Sequence, residues 1–150
     1  MSTRGAVIIN NENGERAIGI YNHCDSNIHR GLGSTIFAFL RERSYTGGSG
    51  VEVRGIGDLA AQLVTELKKS SDHTGDVYIM GEGEGISLDV EYIYYITPSV
   101  CYPFTRCPTC GATITDKWEI KIIKDEALIF TGTPTEAIEH FGRNRGKPLF

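Results

Sequence analysis

The sequence predicts a single α+β domain with a mostly antiparallel sheet and helices packed on it. The predicted strands and helices come in groups, in the order β-β-α-α-β-β-β-β-α, and this grouping does not fit a doubly wound parallel sheet. The chain has 150 residues, of which 40% are hydrophobic and 23% are charged, which is enough for one hydrophobic core. We expect one domain over residues 1–142 and a basic tail over 143–150.

The first half of the chain begins with a hairpin and continues with two helices. Alternating apolar residues predict strands at 6–10 and 16–22, because successive side chains of a strand point to opposite faces. Asn13 and Gly14 are the preferred pair for a primed two-residue turn between them, in which both residues need positive φ. Apolar residues spaced three and four apart predict helices over 33–43 and 58–70, with a Gly-rich loop at 45–50 between them.

The second half is mainly β-structure. We expect strands over 76–80 and 86–96, the latter placing Val90, Tyr92 and Tyr94 on one face. The two tyrosines are either core or an aromatic wall for a ligand. A hairpin over 117–124 and 127–131 follows, with Trp118 in the core. Thr133, Pro134 and Glu136 form a capping-box pattern that predicts a last helix, which Gly142 ends.

Charge and hydropathy exclude several function classes. The chain has 15 Lys and Arg against 19 Asp and Glu, a formal net charge of −4, so nonspecific binding to nucleic acid is not expected. No apolar run approaches the roughly 20 residues of a membrane span, and the first residues do not resemble a signal peptide. These features predict a cytoplasmic protein that does not enter a membrane.

A dense polar cluster follows the second strand and provides candidate catalytic residues. Tyr21, His23 and Asp25 share one face if the strand extends that far. A phenol can donate a hydrogen bond, an imidazole can transfer protons near neutral pH, and a carboxylate can orient that imidazole. We therefore predict that these three side chains orient a ligand or, if the ligand is cleaved, handle its protons.

The same segment continues into a candidate anion site at the start of the first helix. Arg30 precedes Gly31, Gly33 and Ser34, and unpaired amide groups at a helix N-terminus attract anions. We predict that Arg4 and Arg30 neutralise a small anionic, nucleotide-like ligand that Gly31, Gly33 and Ser34 contact. Turn formation and helix capping explain the same residue types without a ligand, so both interpretations stay open.

This N-terminal region resembles a group of small uncharacterised proteins of phages and prophages. The resemblance rests on the opening residues 1–5, on the Tyr21-x-His23-x-Asp25 pattern and on the Gly-rich helix start, and it covers about the first forty residues. The sequence departs from the usual pattern after Asp25. The resemblance implies a phage protein in an infected bacterial host, with a role against host defence, and it assigns no activity.

Four cysteines suggest a metal site. Cys107-Pro108-Thr109-Cys110-Gly111 has the form of a zinc knuckle, and Cys101 is a candidate third ligand. The fourth ligand is open among Cys24, His23, His140 and a residue of another copy of the chain, which would make the protein a homo-oligomer. Free thiols or a redox pair are the alternatives in a reducing compartment.

Two other functions are consistent with the sequence. One is an interaction module that covers and inhibits a host defence protein, with zinc holding a loop in place. The other is an N-terminal-nucleophile hydrolase, in which removal of Met1 would give Ser2 an α-amine beside its hydroxyl.

Overall fold

The computed structural model describes residues 3–11, 13–43, 45–46, 53, 55–70, 77–80, 90–98, 104–106, 113–115 and 118–143. The strands are β1 (Gly5–Asn10), β2 (Arg16–Asn22), β3 (Tyr45–Thr46), β4 (Val77–Met80), β5 (Tyr92–Pro98), β6 (Phe104–Arg106), β7 (Thr113–Thr115), β8 (Trp118–Lys124) and β9 (Ala127–Gly132). The helices are α1 (Leu32–Glu42), α2 (Ile56–Ser70) and α3 (Pro134–Arg143).

The predicted α+β class is confirmed. Six strands form one sheet in the order β4-β2-β1-β5-β8-β9, and β3, β7 and β6 form a second, small sheet. In the large sheet β1 pairs parallel with β5, whereas every other pair of neighbouring strands is antiparallel. The helices and the strands of the large sheet follow one another in the predicted order, and the three short strands are the elements that the prediction lacks.

The main core lies between one face of the large sheet and the helices. Val7, Ile20 and Tyr94 are fully buried on this face and belong to the same core cluster as the apolar residues of α1, α2 and α3. Trp118 is 6% exposed and lies in the same cluster, as the sequence predicts. We call this the helical face of the sheet.

The opposite face carries a smaller apolar cluster. Ala6, Ile8 and Met80 are buried there, with Tyr21 and Val90 packed against them. Side chains alternate between the two faces along each strand, and the register pairs Ala6 with Tyr21, so Tyr21 lies on this opposite face. The prediction that Val90 shares a face with Tyr92 is wrong: β5 begins at Tyr92, and Val90 precedes the strand.

The predicted two-residue turn of the first hairpin is also wrong. The main-chain N–H of Asn11 donates to the carbonyl of Glu15 at 2.8 Å, so three residues separate this pair. Gly14 has φ 81°, and the Asn11 side chain accepts bonds from the N–H groups of Asn13 and Glu15. The Asn11 carboxamide therefore fixes a longer loop with a single glycine in the left-handed region.

The predicted start of the last helix is confirmed in atomic detail. The N–H of Glu136 donates to the Thr133 hydroxyl at 3.1 Å, and the N–H of Thr133 donates to the Glu136 carboxylate at 3.0 Å. This reciprocal pair is a capping box. The helix ends at Arg143, one residue after the predicted stop at Gly142, and residues 144–150 of the predicted tail lie outside the described residues.

Candidate functional site

The connection from β2 to α1, residues 23–31, is the polar cluster that the sequence indicates, and it is anchored to the sheet. Ser26 is fully buried, and its N–H donates to the Thr3 carbonyl at 3.0 Å. Its hydroxyl accepts a bond from the Asn22 side chain at 2.8 Å, and its carbonyl accepts one from the Tyr94 hydroxyl at 2.7 Å. The connection is therefore held by hydrogen bonds to the residue Thr3, which precedes β1, and to residues of β2 and β5.

The first amide groups of α1 are bonded to this connection. The N–H groups of Leu32, Gly33 and Ser34 donate to the carbonyls of Asp25, Asn27 and Ile28 at 2.8, 3.2 and 2.8 Å. The predicted anion site required unpaired amides at this helix N-terminus. That requirement is not met, because the main chain before the helix turns back and accepts the bonds itself.

Three of the predicted ligand-binding residues have roles within the fold. A Cβ on Gly31 would lie 2.5 Å from the Asp25 carbonyl oxygen, and one on Gly33 would lie 2.7 Å from the Cα of Ile28. Both glycines therefore allow the connection to pack closely on the helix. The Ser34 hydroxyl donates to the Gly31 carbonyl at 3.0 Å, and the residue is 5% exposed.

The two predicted cations occupy different environments. Arg30 is exposed, with φ 56°, a left-handed conformation that is uncommon outside glycine and asparagine. Arg4 precedes β1 and is partly buried. The Arg4 carbonyl accepts bonds from the N–H groups of Glu91 and Tyr92 at 3.0 and 3.3 Å, which joins it to the start of β5.

Two of the three predicted catalytic side chains are brought together. The Tyr21 hydroxyl and His23 Nδ1 are 3.0 Å apart, and the Tyr21 ring lies 5.0 Å from that of Tyr78. Asp25 has φ 54° and is exposed, so the chain leaves the extended conformation on which the predicted alignment depended. No hydrogen bond joins the carboxylate of Asp25 to His23 in the described part of the chain.

A pocket of about 460 Å³ lies beside the same connection on the helical face. Polar side chains from three elements line it: Asn27, His29, Tyr92 and Lys124. Its apolar lining consists of Ile28, Ile129 and Phe141. A pocket of this volume that offers both polar and apolar side chains is compatible with a site for a small molecule.

Lys124 provides the positive charge of this pocket. It faces Tyr92 across the β5–β8 pair, and its Nζ lies 5.4 Å from the centroid of the Tyr92 ring. Hydrogen bonding to the Tyr92 side chain raises the pKa of Lys124, so the ammonium is charged at neutral pH. Glu91 and Asp125 also act electrostatically on this ammonium, but neither residue lines the pocket.

The pocket and the Tyr21–His23 pair lie on opposite faces of the sheet. Tyr92 belongs to the core cluster of the helical face, whereas Tyr21 packs against the cluster of the opposite face. The sequence predicts one site from residues 21–35. In the structure, the Tyr21–His23 pair and the pocket beside residues 27–29 are instead on opposite faces of the sheet. The residues of that segment that line the pocket are Asn27, Ile28 and His29, which the prediction did not assign to the ligand.

Outside the connection, Tyr92 is the pocket residue that the sequence indicates, as part of a possible aromatic wall, and the other three are missed. Lys124 ends a strand whose inward side chains are otherwise Trp118, Ile120 and Ile122. A charged residue that continues an apolar stripe marks a place where the core opens to solvent, and this signal was available. Phe141 is both packed on the core and part of the pocket lining.

The predicted metal ligands Cys101, Cys107 and Cys110 lie outside the described residues, as does Ser2. In the described part of the chain, no group of three or more His, Cys, Asp or Glu side chains is arranged to hold a metal ion. β6 and β7 pair antiparallel and flank residues 107–112. The zinc site therefore stays a prediction.

Comparison with protein-family models, curated proteins and solved structures finds no match to this chain. The resemblance to phage proteins and the role against host defence stay predictions as well. Among the described helices, none has the length and apolar character that crossing a membrane requires.

Proposed function

We propose that this protein binds a small organic anion in the pocket beside the β2–α1 connection. The observation that carries the proposal is a charged ammonium, that of Lys124, in the lining of a pocket whose other walls combine apolar side chains with Asn27, His29 and Tyr92. An anion next to Lys124 would gain a charge-assisted hydrogen bond, while the apolar walls would take up the rest of the molecule. A nucleotide, which the sequence predicts, has both parts.

Binding without cleavage is the form of this function that we propose. The predicted proton-transfer pair, Tyr21 and His23, lies on the other face of the sheet and does not line the pocket. Sequestration needs only charge, shape and a fixed frame. The frame is supplied by the bonds that hold Ser26 and its neighbours to the sheet.

The experiment is a titration with 8-anilinonaphthalene-1-sulfonate, a fluorescent aromatic anion. We expect Lys124→Met to weaken its binding about tenfold, since losing a charge-assisted bond is worth about 1.5 kcal/mol. Lys121→Met is the matched control, because Lys121 lies three residues earlier on the same strand and contacts Tyr95 on the opposite face. Equal affinities for the two variants would show that the pocket is not the binding site.

A further inference from the structure

The ring of Phe141 is the aromatic hydrocarbon surface in the lining of the pocket. One part of this ring is covered by Phe37, whose ring lies 5.8 Å away at an interplanar angle of 8°, and Phe37 is fully buried. Phe141 itself is only partly buried and lines the pocket. The rings of Phe130 and His140 also pack against Phe141, at centroid distances of 5.5 and 4.8 Å. The pocket is therefore lined by the part of the Phe141 ring that these neighbours leave uncovered.

The imidazole of His29 packs edge-on against this ring. The imidazole and the phenyl ring of Phe141 have centroids 6.1 Å apart and are inclined at 84°, so the two rings form a corner. Ile129 of β9 lines the same pocket and is 38% exposed. Aromatic rings prefer offset-stacked or edge-to-face contacts with one another. The two inclined rings and the aliphatic Ile129 side chain therefore suit a ligand with a flat ring.

Tyr92 also lines the pocket, and its ring packs on another tyrosine and on the Lys124 side chain. Its ring packs on that of Tyr94 at 6.0 Å and 14°, and the Lys124 ammonium lies 5.4 Å from its centroid. Tyr92 thus holds the cation. The pocket lining thus contains a charged group, Lys124, and the rings of Phe141 and His29.

We infer that the ligand is an aromatic anion, whose flat ring packs in the corner of Phe141, His29 and Ile129 while its anionic group faces Lys124. This inference rests on the proposed function and adds the chemical class of the ligand. Mononucleotides, aryl phosphates and aryl carboxylates all belong to that class. An aliphatic phosphate would face Lys124 equally well, but it would gain no ring contact with Phe141 or His29.

Phenyl phosphate and cyclohexyl phosphate test this inference, because they carry the same charged group on rings of similar size. Each is titrated as a competitor of 8-anilinonaphthalene-1-sulfonate. We expect phenyl phosphate to bind about three to ten times more tightly, the range that corresponds to one aromatic contact. Phe141→Leu should reduce this ratio to near one, and thermal unfolding of the variant reports whether α3 still packs.

The outcomes separate this inference from the proposed function. If Lys124→Met weakens both phosphates and the wild-type protein binds them equally, the pocket takes anions but the aromatic class is wrong. If neither phosphate competes, or if Lys124→Met changes neither affinity, the proposed function is wrong and the inference fails with it. The wild-type comparison decides the aromatic class even if Phe141→Leu does not fold.

Discussion

The Tyr94 hydroxyl donates a hydrogen bond to the main-chain carbonyl of Ser26 at 2.7 Å, between residues 68 positions apart in the sequence. Tyr94 and Ser26 are both fully buried. This bond joins the central region of the sheet to the connection that lines the pocket. The shape of the pocket therefore depends on a contact within the core.

The first prediction concerns this bond. Tyr94→Phe keeps the ring but leaves the Ser26 carbonyl without its donor, and an unsatisfied buried group costs about 1–3 kcal/mol. We expect the free energy of unfolding to fall by that amount in urea denaturation at pH 7. Burial raises the pKa of Tyr94 above its ordinary value of 10.0, with Tyr92 and Glu91 adding to the effect.

The sign of the pH dependence follows from this shift. Above pH 10 the unfolded chain loses the Tyr94 proton while the native protein keeps it, so stability falls as the pH rises, by up to about 1.4 kcal/mol per pH unit for this group. Tyr94→Phe lacks this contribution, and its stability should decline less steeply above pH 10. Parallel decline in the two proteins would contradict the account.

Gly33 provides a prediction about packing at the helix start. A Cβ there would lie 2.7 Å from the Cα of Ile28 and 3.0 Å from the Tyr94 hydroxyl. We expect Gly33→Ala to destabilise the protein by about 1–3 kcal/mol, the usual cost of overpacking. Gly57→Ala in α2 is the control, because nothing lies within 4 Å of its added methyl, and it should be neutral or stabilising by up to about 1 kcal/mol.

The two histidines of the connection should differ in their effect on binding. His29 lines the pocket, whereas His23 bonds to Tyr21 on the other face of the sheet. In the phenyl phosphate titration, His29→Ala should weaken binding about threefold or more through the lost ring contact, and His23→Ala should leave it unchanged. A larger loss from His23→Ala than from His29→Ala would place the ligand at the originally predicted catalytic residues.

Zinc content is a prediction from the sequence alone. We expect one zinc ion per chain, held by Cys101, Cys107 and Cys110 with a fourth ligand, because a Cys-Pro-x-Cys-Gly knuckle presents two thiolates to a tetrahedral ion. Native and denaturing mass spectrometry should differ by the mass of that ion, and Cys107→Ser with Cys110→Ser should abolish the difference. Equal masses for the purified wild-type protein would contradict the prediction.

Local patterns predicted the fold well, because the signals lie within a few residues. The capping box at Thr133 and Glu136 is an example, since both of its bonds join residues three apart. The hairpin of β8 and β9 was also predicted, although Asp125 and Glu126 both take positive φ, at 47° and 70°. Alternation along the two strands was a sufficient signal without a glycine in the turn.

The site could be predicted only in part, for two physical reasons. The pairing of the α1 amides depends on the main chain turning back at Asp25 and Arg30, and the left-handed conformation of these two residues has no counterpart in composition. The pocket depends on Tyr92, Lys124 and Phe141 meeting through tertiary packing of β5, β8 and α3. The spacing of residues along the sequence does not show which side chains of separate elements will line the same pocket.

The most direct test of the central claim is the location of bound phenyl phosphate, measured by ¹H–¹⁵N chemical-shift changes on the full chain. The account predicts that the largest changes fall on the amides of residues 27–29, 124, 129 and 141. Changes concentrated on residues 19–23 and 78–80, on the opposite face of the sheet, would contradict it.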